Sequence, residues 1–582
     1  MRRSSAVSFR VRVPRIAGVR IHGSAGEPTA ARSAVRNPWR GPYRPLIGMS
    51  SNSRKLPKAL VKTVPDQADY RTPVPLRPVS MGEHEPMTQQ QSERRHDSPV
   101  AAHTTAGTVE RNGIDPVPDA ERHGTPRSLF WPWAASGLSL LGIAYGSYLM
   151  GLGLNPWQAV VTGVIGYVLS FVLVGVVSIA GARTGAPTMA IGRASFGRQG
   201  NKLPTLFSYV SNVGWETVLV ALSSLGGAAI LARVSPEVFA RPGGRTPTTG
   251  AQALCFAVTA VSVVVVGIYG HALIMKVQTY VTAAITTTTV VYVVLMAGRV
   301  HPSALVHGPP ADLGTAIGGV VFAMTLLGLG WVNCGADYSR YLPRRSSGRA
   351  IAGWTTLGGV LAPVVLLVFG VLLNAGDPGL ARAAAADPVG ALAAALPTWF
   401  LVPYLLTAIG GFASGAIMDI YSSGMSLLAL GIPVRRHLAV LVDGVLMAAG
   451  GWYVLFVSPG FFATFQAFLS IIGVAMAAWT AVFLVEQRRR RRTGFDLAAV
   501  PAVGWPAVLS LAVATAVGLG LITSADPHIA RVVGYLLTDG AAHGTLGAMN
   551  LGVVVALLVA GVLYAATAPL ANRRPAAPEG AR

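Results

Sequence analysis

Charge is what this sequence has least of. Only 12% of its 582 residues are Asp, Glu, Lys or Arg, roughly half the share of a soluble chain, while 52% are hydrophobic. Most of such a chain is expected in a bilayer. Cysteine is almost missing. Cys255 and Cys334 both sit inside apolar runs, which excludes a disulfide framework and any thiolate metal spacing. No G-x-x-x-x-G-K-[ST] stretch occurs, so transport driven by ATP has no support. There is no nucleophile–base pairing and no metal-ligand cluster, so neither an enzyme nor a resident cofactor or metal is expected. Acidic residues number 24 against 46 basic ones, for a formal charge of +22. That excess could be a nucleic-acid footprint. It falls, however, largely in the first ~125 residues and in short loops between apolar runs, where it orients a membrane protein. No nucleic-acid partner is expected.

What is present is a series of long apolar runs. Residues 1–125 are rich in Arg, Pro, Ser and Gly without apolar periodicity, and cannot bury enough surface to offset their ordering entropy. They read as a disordered basic cytoplasmic tail. An over-extended start, with Met81 or Met87 as the true beginning, is the alternative. Spans are expected near 129–150, 157–180, 204–231, 250–272, 277–298, 318–345, 351–375, 398–430, 437–457, 460–485, 502–523 and 549–569, each close to the ~20 residues a hydrocarbon core demands. The prediction is an all-α membrane protein with about twelve transmembrane helices. Residues 126–490 would form a core of helices one to ten. Residues 491–582 would hold accessory helices eleven and twelve and a short tail. Basic residues concentrate in alternate loops, among them Arg183, Arg193, Arg198 and Lys202, then Arg344, Arg345 and Arg349, and Arg488 to Arg492. Basic loops stay inside, so both termini are expected in the cytoplasm of a plasma-membrane protein, with the lipid bilayer as its surroundings.

The first and sixth spans are interrupted by glycine. Gly137, Gly142 and Gly146 interrupt the first, beside Ser136; Gly328 and Gly330 interrupt the sixth, beside Trp331 and Asn333. A helix-interior Gly costs about 1 kcal/mol relative to Ala, and irregular backbone at membrane depth is tolerated only where it lines a protein cavity. Interrupted helices five spans apart point to a secondary transporter built as an inverted repeat, with discontinuous helices 1 and 6 around its site. Helix packing alone is the plainer account of most of these glycines.

Candidate substrate contacts are Ser136, Gly137, Gly330 and Trp331 at the breaks, with Trp215 and Asn212 in the third span. Trp215 lies mid-span, as a packing aromatic or as a stacking face worth about 0.5–1.5 kcal/mol beyond burial. Asn212, three residues earlier, shares its helical face and could bond a ring edge or another helix. Glu216 and Asp419 are carboxylates inside apolar spans, where such groups face cavities and mark ion routes. Both are candidate proton carriers, with a neutral structural role as the alternative for Glu216. Asp337 precedes Arg340 by one turn, which fits a local ion pair; coupling is its other reading.

Five stretches carry a family resemblance: VERNGIDPVP at 109–118, GARTGAPTMAIGRASFG at 181–197, NVGWE at 212–216, GADYSRYLP at 335–343 and IYSSG at 420–424. Together they resemble the nucleobase:cation symporter family, and within it the purine–cytosine permease branch. The resemblance implies a five-plus-five inverted repeat (LeuT-like) and alternating access around a site between the first, third, sixth and eighth spans. It makes Trp215 and Asn212 the third-span stacking and hydrogen-bonding residues, and Trp331 the aromatic on the other face of the substrate ring. The chain also departs from the pattern. The family's W-F-x-x-N reads WAASG here, so Gly137 replaces an amide. Asp419 stands where Asn is common, and Gly415 where a polar residue is common. A carboxylate in place of an amide favours a ligand with extra donors, or a cationic one.

Sodium-coupled relatives place eighth-span hydroxyls and first-span carbonyls around the ion, and hard cations need several oxygens. Ser414 matches one hydroxyl, but Gly415 occupies its neighbour. With Glu216 and Asp419 at hand, H+ is expected as the coupling ion in preference to Na+. The expected function is cation-coupled import of a nucleobase or related nitrogen heterocycle. A carrier of another nitrogenous solute on the same fold, of the allantoin, thiamine or amino-acid type, is the alternative.

Overall fold

The computed structural model describes residues 115–571, apart from 243, 270, 301, 307, 395, 433–435, 459, 498 and 499. Most of the tail expected over 1–125 therefore lies outside the described residues. The residues from 115 onward pack against the helices. Val117 and Arg122 are buried, the Val117 N–H donates to the Gly185 carbonyl (2.9 Å) and that of His123 to the Tyr341 carbonyl (2.8 Å). The second span supplies the reason. The last carbonyls of a helix have no partner within it, and the Arg122 guanidinium donates to that of Ala182 (3.2 Å) while also holding the Val117 carbonyl (3.0 Å).

The first span is two helices, α1 (Phe130–Ser136) and α2 (Leu140–Gly151); α3 (Pro156–Thr184), α4 (Lys202–Val234), α5 (Thr249–Tyr269) and α6 (His271–Met296) follow. The sixth span opens with α7 (Leu313–Leu326) and the seventh is α8 (Gly348–Gly376). Two short helices, α9 (Pro378–Ala386) and α10 (Pro388–Ala394), lead into α11 (Thr398–Ala429). The remainder are α12 (Arg436–Trp452), α13 (Phe461–Arg489), α14 (Trp505–Leu519) and α15 (Gly552–Ala571). Among the described residues, 10 helices are long and apolar enough to cross a membrane, and α2 and α14 are shorter apolar helices.

Both glycine-interrupted spans are broken. The first leaves the helix after Ser136; extended Ser139 (φ −150°) then starts α2 by accepting from the Gly142 N–H at 3.3 Å, the ordinary way a hydroxyl satisfies an orphan amide. The sixth leaves it at Leu327 (φ −130°, ψ −86°) and continues as three short 3-10 turns, Gly328–Gly330, Val332–Cys334 and Ser339–Tyr341. Spans one, two, six and seven pack together, while α4 packs with α5, α11 and α12, the third, fourth, eighth and ninth spans. In each bundle the later two spans are the first two plus five, which is the signature of the inverted repeat. Between the bundles run α13 and the breaks.

In the first bundle α2 crosses α8 closely. A Cβ on Gly146 would lie 2.6 Å from the Gly370 carbonyl carbon, and one on Gly370 would lie 3.0 Å from that of Ile143. Glycine at both positions lets the two backbones touch, as small residues do between membrane helices. At one end of the molecule the basic loops converge. Arg183 donates to the Arg344 carbonyl (2.6 Å), Arg490 to that of Ala194 (3.2 Å), and the Arg198 N–H to that of Pro501 (2.9 Å). Arg344 also pairs with exposed Asp119 at 2.8 Å, and that hydrogen bond holds the Asp119 carboxyl below its ordinary range.

Candidate substrate and coupling site

The break in the sixth span exposes backbone to the third. A Cβ on Gly330 would sit 3.3 Å from Trp215 Nε1 and 3.5 Å from its Cζ2, so the unwound chain lies directly against the indole. From α13, Phe465 and Phe468 set ring edges against the same indole, with centroids at 5.8 and 6.0 Å. One residue beyond Gly330, Trp331 meets Trp133 of α1 edge-on at 5.9 Å, and Trp133 in turn meets Tyr338 at 5.2 Å. Trp215 and Trp331 are both partly buried against the one core cluster. The structure therefore brings the third span, both breaks and α13 to one aromatic locus. Asn333 closes its far side by donating to Ser208 Oγ at 3.0 Å.

The other candidates fall at different distances from this locus. Asn212 and Asp419 are half-buried and make no hydrogen bond to another described residue. Asp419 stands on α11, one turn before Ser423. Ser136 is exposed and turns its hydroxyl back onto the Trp133 carbonyl at 2.9 Å.

Gly137 is at the break but faces α8: a Cβ there would lie 2.5 Å from the Pro363 ring. Helix packing, the plainer of the two accounts, thus explains that position. Ser414 is buried on α11, whose main neighbours are α4, α6, α5 and α12 and not the first span.

The ion pair expected between Asp337 and Arg340 is corrected by the structure. Asp337 Oδ1 accepts from the N–H and the hydroxyl of Thr188, both at 2.7 Å, and Arg340 lies over the Tyr341 ring, 5.1 Å from its centroid. No continuous helix runs from 337 to 340 to stack the two side chains, and Thr188 offers two donors at once. Burial pushes the Asp337 carboxyl up to about 6, against the two hydrogen bonds from Thr188.

Glu216 is completely buried. Its Oε1 lies 2.8 Å from Ser423 Oγ, the same hydroxyl lies 2.8 Å from Asp443 Oδ2, and Tyr209 donates to Asp443 Oδ1 at 2.5 Å. Sequence reasoning misses Asp443, Ser423 and Tyr209. Asp443 carries the signal that marks Glu216 and Asp419, a carboxylate inside an apolar run; the hydroxyls carry none. Among the described residues, no group of three or more His, Cys, Asp or Glu is placed to hold a metal ion. Two surface cavities, of about 400 and 570 Å³, lie elsewhere, one between α3 and α8 around Val168 and Leu357, the other around Tyr292 and Arg299.

Paired bundles and two broken spans define a secondary membrane transporter of the inverted-repeat kind, and not an enzyme. The family model described as "Permease for cytosine/purines, uracil, thiamine, allantoin" matches residues 116–547, well over half of the chain. The chain belongs to that family.

A Bacillus subtilis protein named as a purine-cytosine permease, YxlA, is 24% identical over 412 residues, covering 68% of this chain and 83% of its own. The Saccharomyces cerevisiae purine-cytosine permease FCY21 is 24% identical over 410 residues, covering 66% and 72%. In fold the chain is similar to Mhp1, a nucleobase-cation-symport-1 family transporter. The closed form with bromovinylhydantoin bound gives a TM-score of 0.57 at 18% identity over 80% of this chain and 96% of that one. The inward-facing form gives 0.60 at 16% identity over 80% and 95%.

Proposed function

We propose that this protein imports a nucleobase or closely related nitrogen heterocycle across the plasma membrane by symport with protons, with both termini in the cytoplasm. The observation that carries the reading is the locus where Gly330 meets Trp215 and Trp331 meets Trp133, with Asn212 one turn before Trp215 on α4. A flat ring gains from indole faces. Its ring nitrogens need donors and acceptors that are not already committed, and Asn212 and Asp419 are such groups. The relatives named for purine and cytosine transport, and the hydantoin held by Mhp1, support a planar nitrogenous ligand. Proton coupling is supported by Glu216 and Asp419, carboxyls carried inside apolar helices, where such groups mark ion routes.

The test is uptake into proteoliposomes under an imposed inward pH gradient, with cytosine, adenine, hypoxanthine, uracil and allantoin as probes. Concentrative uptake of at least one is expected, without sodium. Uptake that needs a sodium gradient and ignores pH would refute the coupling. A second reading follows from Asp419: a carboxylate at the site suits a cationic heterocycle, so thiamine belongs in the panel.

A further inference from the structure

We propose that Glu216 and Asp443 share a single proton through the Ser423 hydroxyl, and that this buried relay is the site whose protonation couples transport. This rests on the proton-symport reading above and names the groups that carry it out.

Ser423 Oγ has one hydrogen and lies 2.8 Å from Glu216 Oε1, 2.8 Å from Asp443 Oδ2 and 3.1 Å from the Ile420 carbonyl. It can donate to only one carboxyl. The other carboxyl oxygen, at the same distance, must carry a hydrogen and donate to Oγ; otherwise two lone pairs face each other in a buried site. At least one carboxyl of the pair is therefore an acid.

The surroundings decide which. Asp443 receives Tyr209 on Oδ1 and can receive Ser423 on Oδ2, so both its oxygens can be satisfied as an anion. Glu216 has only the Ser423 contact; its Oε2 is buried without a partner. A buried ionised carboxylate held by one hydrogen bond is the costlier arrangement. The proton resides on Glu216.

The same geometry lets it move. When Glu216 Oε1–H passes its proton to Ser423 Oγ, the original serine hydrogen passes to Asp443 Oδ2. The proton has then crossed from one carboxyl to the other, the serine is unchanged and no charge is created or lost. Glu216 and Tyr209 belong to α4, Ser423 to α11 and Asp443 to α12. Any movement that parts α4 from α11 and α12 must break both the Glu216–Ser423 and the Tyr209–Asp443 bonds and leave the buried Asp443 carboxylate with the Ser423 hydrogen bond alone, unless a second proton arrives first. That condition is what ties conformational change to protonation.

Other titratable groups do not interfere. Asp419, one turn before Ser423 on α11, is the remaining carboxyl acting on Glu216. Cys255 of α5 sits against Gly227, three turns along α4. His437 is exposed at the start of α12. On α13, Glu486 is held by Arg489, Arg490 and Tyr564. Among the described residues, no Lys, Arg or His pairs with either carboxyl of the relay.

The test has two arms on the full-length purified protein. Infrared spectra at neutral pH should show a carboxylic-acid C=O band that Glu216→Gln removes. Absence of that band from the wild type, or its survival in Glu216→Gln, overturns the shared proton.

In proteoliposomes, pH-gradient-driven cytosine uptake is compared with cytosine counterflow, which moves no net proton. The ratio should fall at least tenfold in Glu216→Gln and Asp443→Asn; an unchanged ratio overturns the coupling role. Should Glu216→Gln not fold, Ser423→Ala breaks the relay while leaving both carboxyls, and the same tenfold loss is expected. If the wild type shows the band but accumulates none of the heterocycle probes under any pH gradient, the transport reading fails while the shared proton stands.

Discussion

Replacing Trp215 separates a stacking platform from a packing residue. A heterocycle laid on one indole face would cover about 60 Å² of apolar surface, roughly a third of what a buried Trp contributes, worth about 1.5 kcal/mol. Stacking adds about 0.5–1.5 kcal/mol. Losing both weakens binding by about 2–3 kcal/mol, or roughly 30- to 150-fold in Kd. Phe465 and Phe468 lean on the same indole, so Trp215→Ala also opens a cavity and must be read beside a milder change. Trp215→Phe keeps an aromatic face and most of the packing, and should cost about three- to tenfold in Kd, near 1 kcal/mol. The assay is equilibrium binding of a radiolabelled heterocycle to purified protein, with thermal unfolding as the control for folding. A folded Trp215→Ala protein that binds with unchanged Kd would refute the reasoning, because the residue would then be packing alone.

Three further predictions follow from individual contacts. Asp419→Asn restores the amide common in the family, and is expected to change the ranking of heterocycles in competition uptake and to flatten its pH profile; unaltered ranking and profile would remove Asp419 from the site. Asp337, with a carboxyl near 6 when folded against an ordinary 3.8, favours the folded state most when protonated. That contribution is full below 3.8 and is lost as pH rises through 6, by about 1 kcal/mol between pH 5 and 7. Thermal unfolding of Asp337→Asn should lack that slope, and an identical slope in the variant would contradict the assignment. Gly146→Ala should force α2 from α8 and cost about 1–3 kcal/mol, seen as a lower melting temperature and a smaller folded yield; an unchanged melting temperature would mean the crossing is looser than its geometry.

Sequence and structure agree most where the physics is periodic or costly. Apolar runs long enough to cross a bilayer show themselves, and the glycines at 137 and 328–330 mark where two of them break. Buried carboxylates show themselves too, because hydrocarbon makes them expensive, and Asp443 was as visible by that rule as Glu216 and Asp419. What one chain alone cannot display is pairing between distant segments. Nothing local to Ser423 or Tyr209 says that they meet Asp443, and nothing local to Phe465 or Phe468 says that they lean on Trp215. Asp337 shows the same limit: its spacing to Arg340 suggests a pair, while its partner Thr188 lies 149 positions away. Gly137 was legible as a break, but its neighbour Pro363 was not. The ordered segment around Val117 and Arg122 was hidden because its partners are carbonyls at the end of another helix.

The central claim is that a flat nitrogen heterocycle binds beside the broken first and sixth spans, and that protons and not sodium accompany it. Ligand-induced thermal stabilisation of the purified protein tests it most directly, with cytosine, adenine, hypoxanthine, uracil, allantoin and thiamine at two pH values, each with and without sodium. A ligand present at 100 times its Kd stabilises the folded state by about 2.7 kcal/mol. At least one of these compounds should raise the melting temperature saturably, to a degree that changes with pH and not with sodium. No saturable shift with any of them, or a shift that appears only with sodium, would contradict the account.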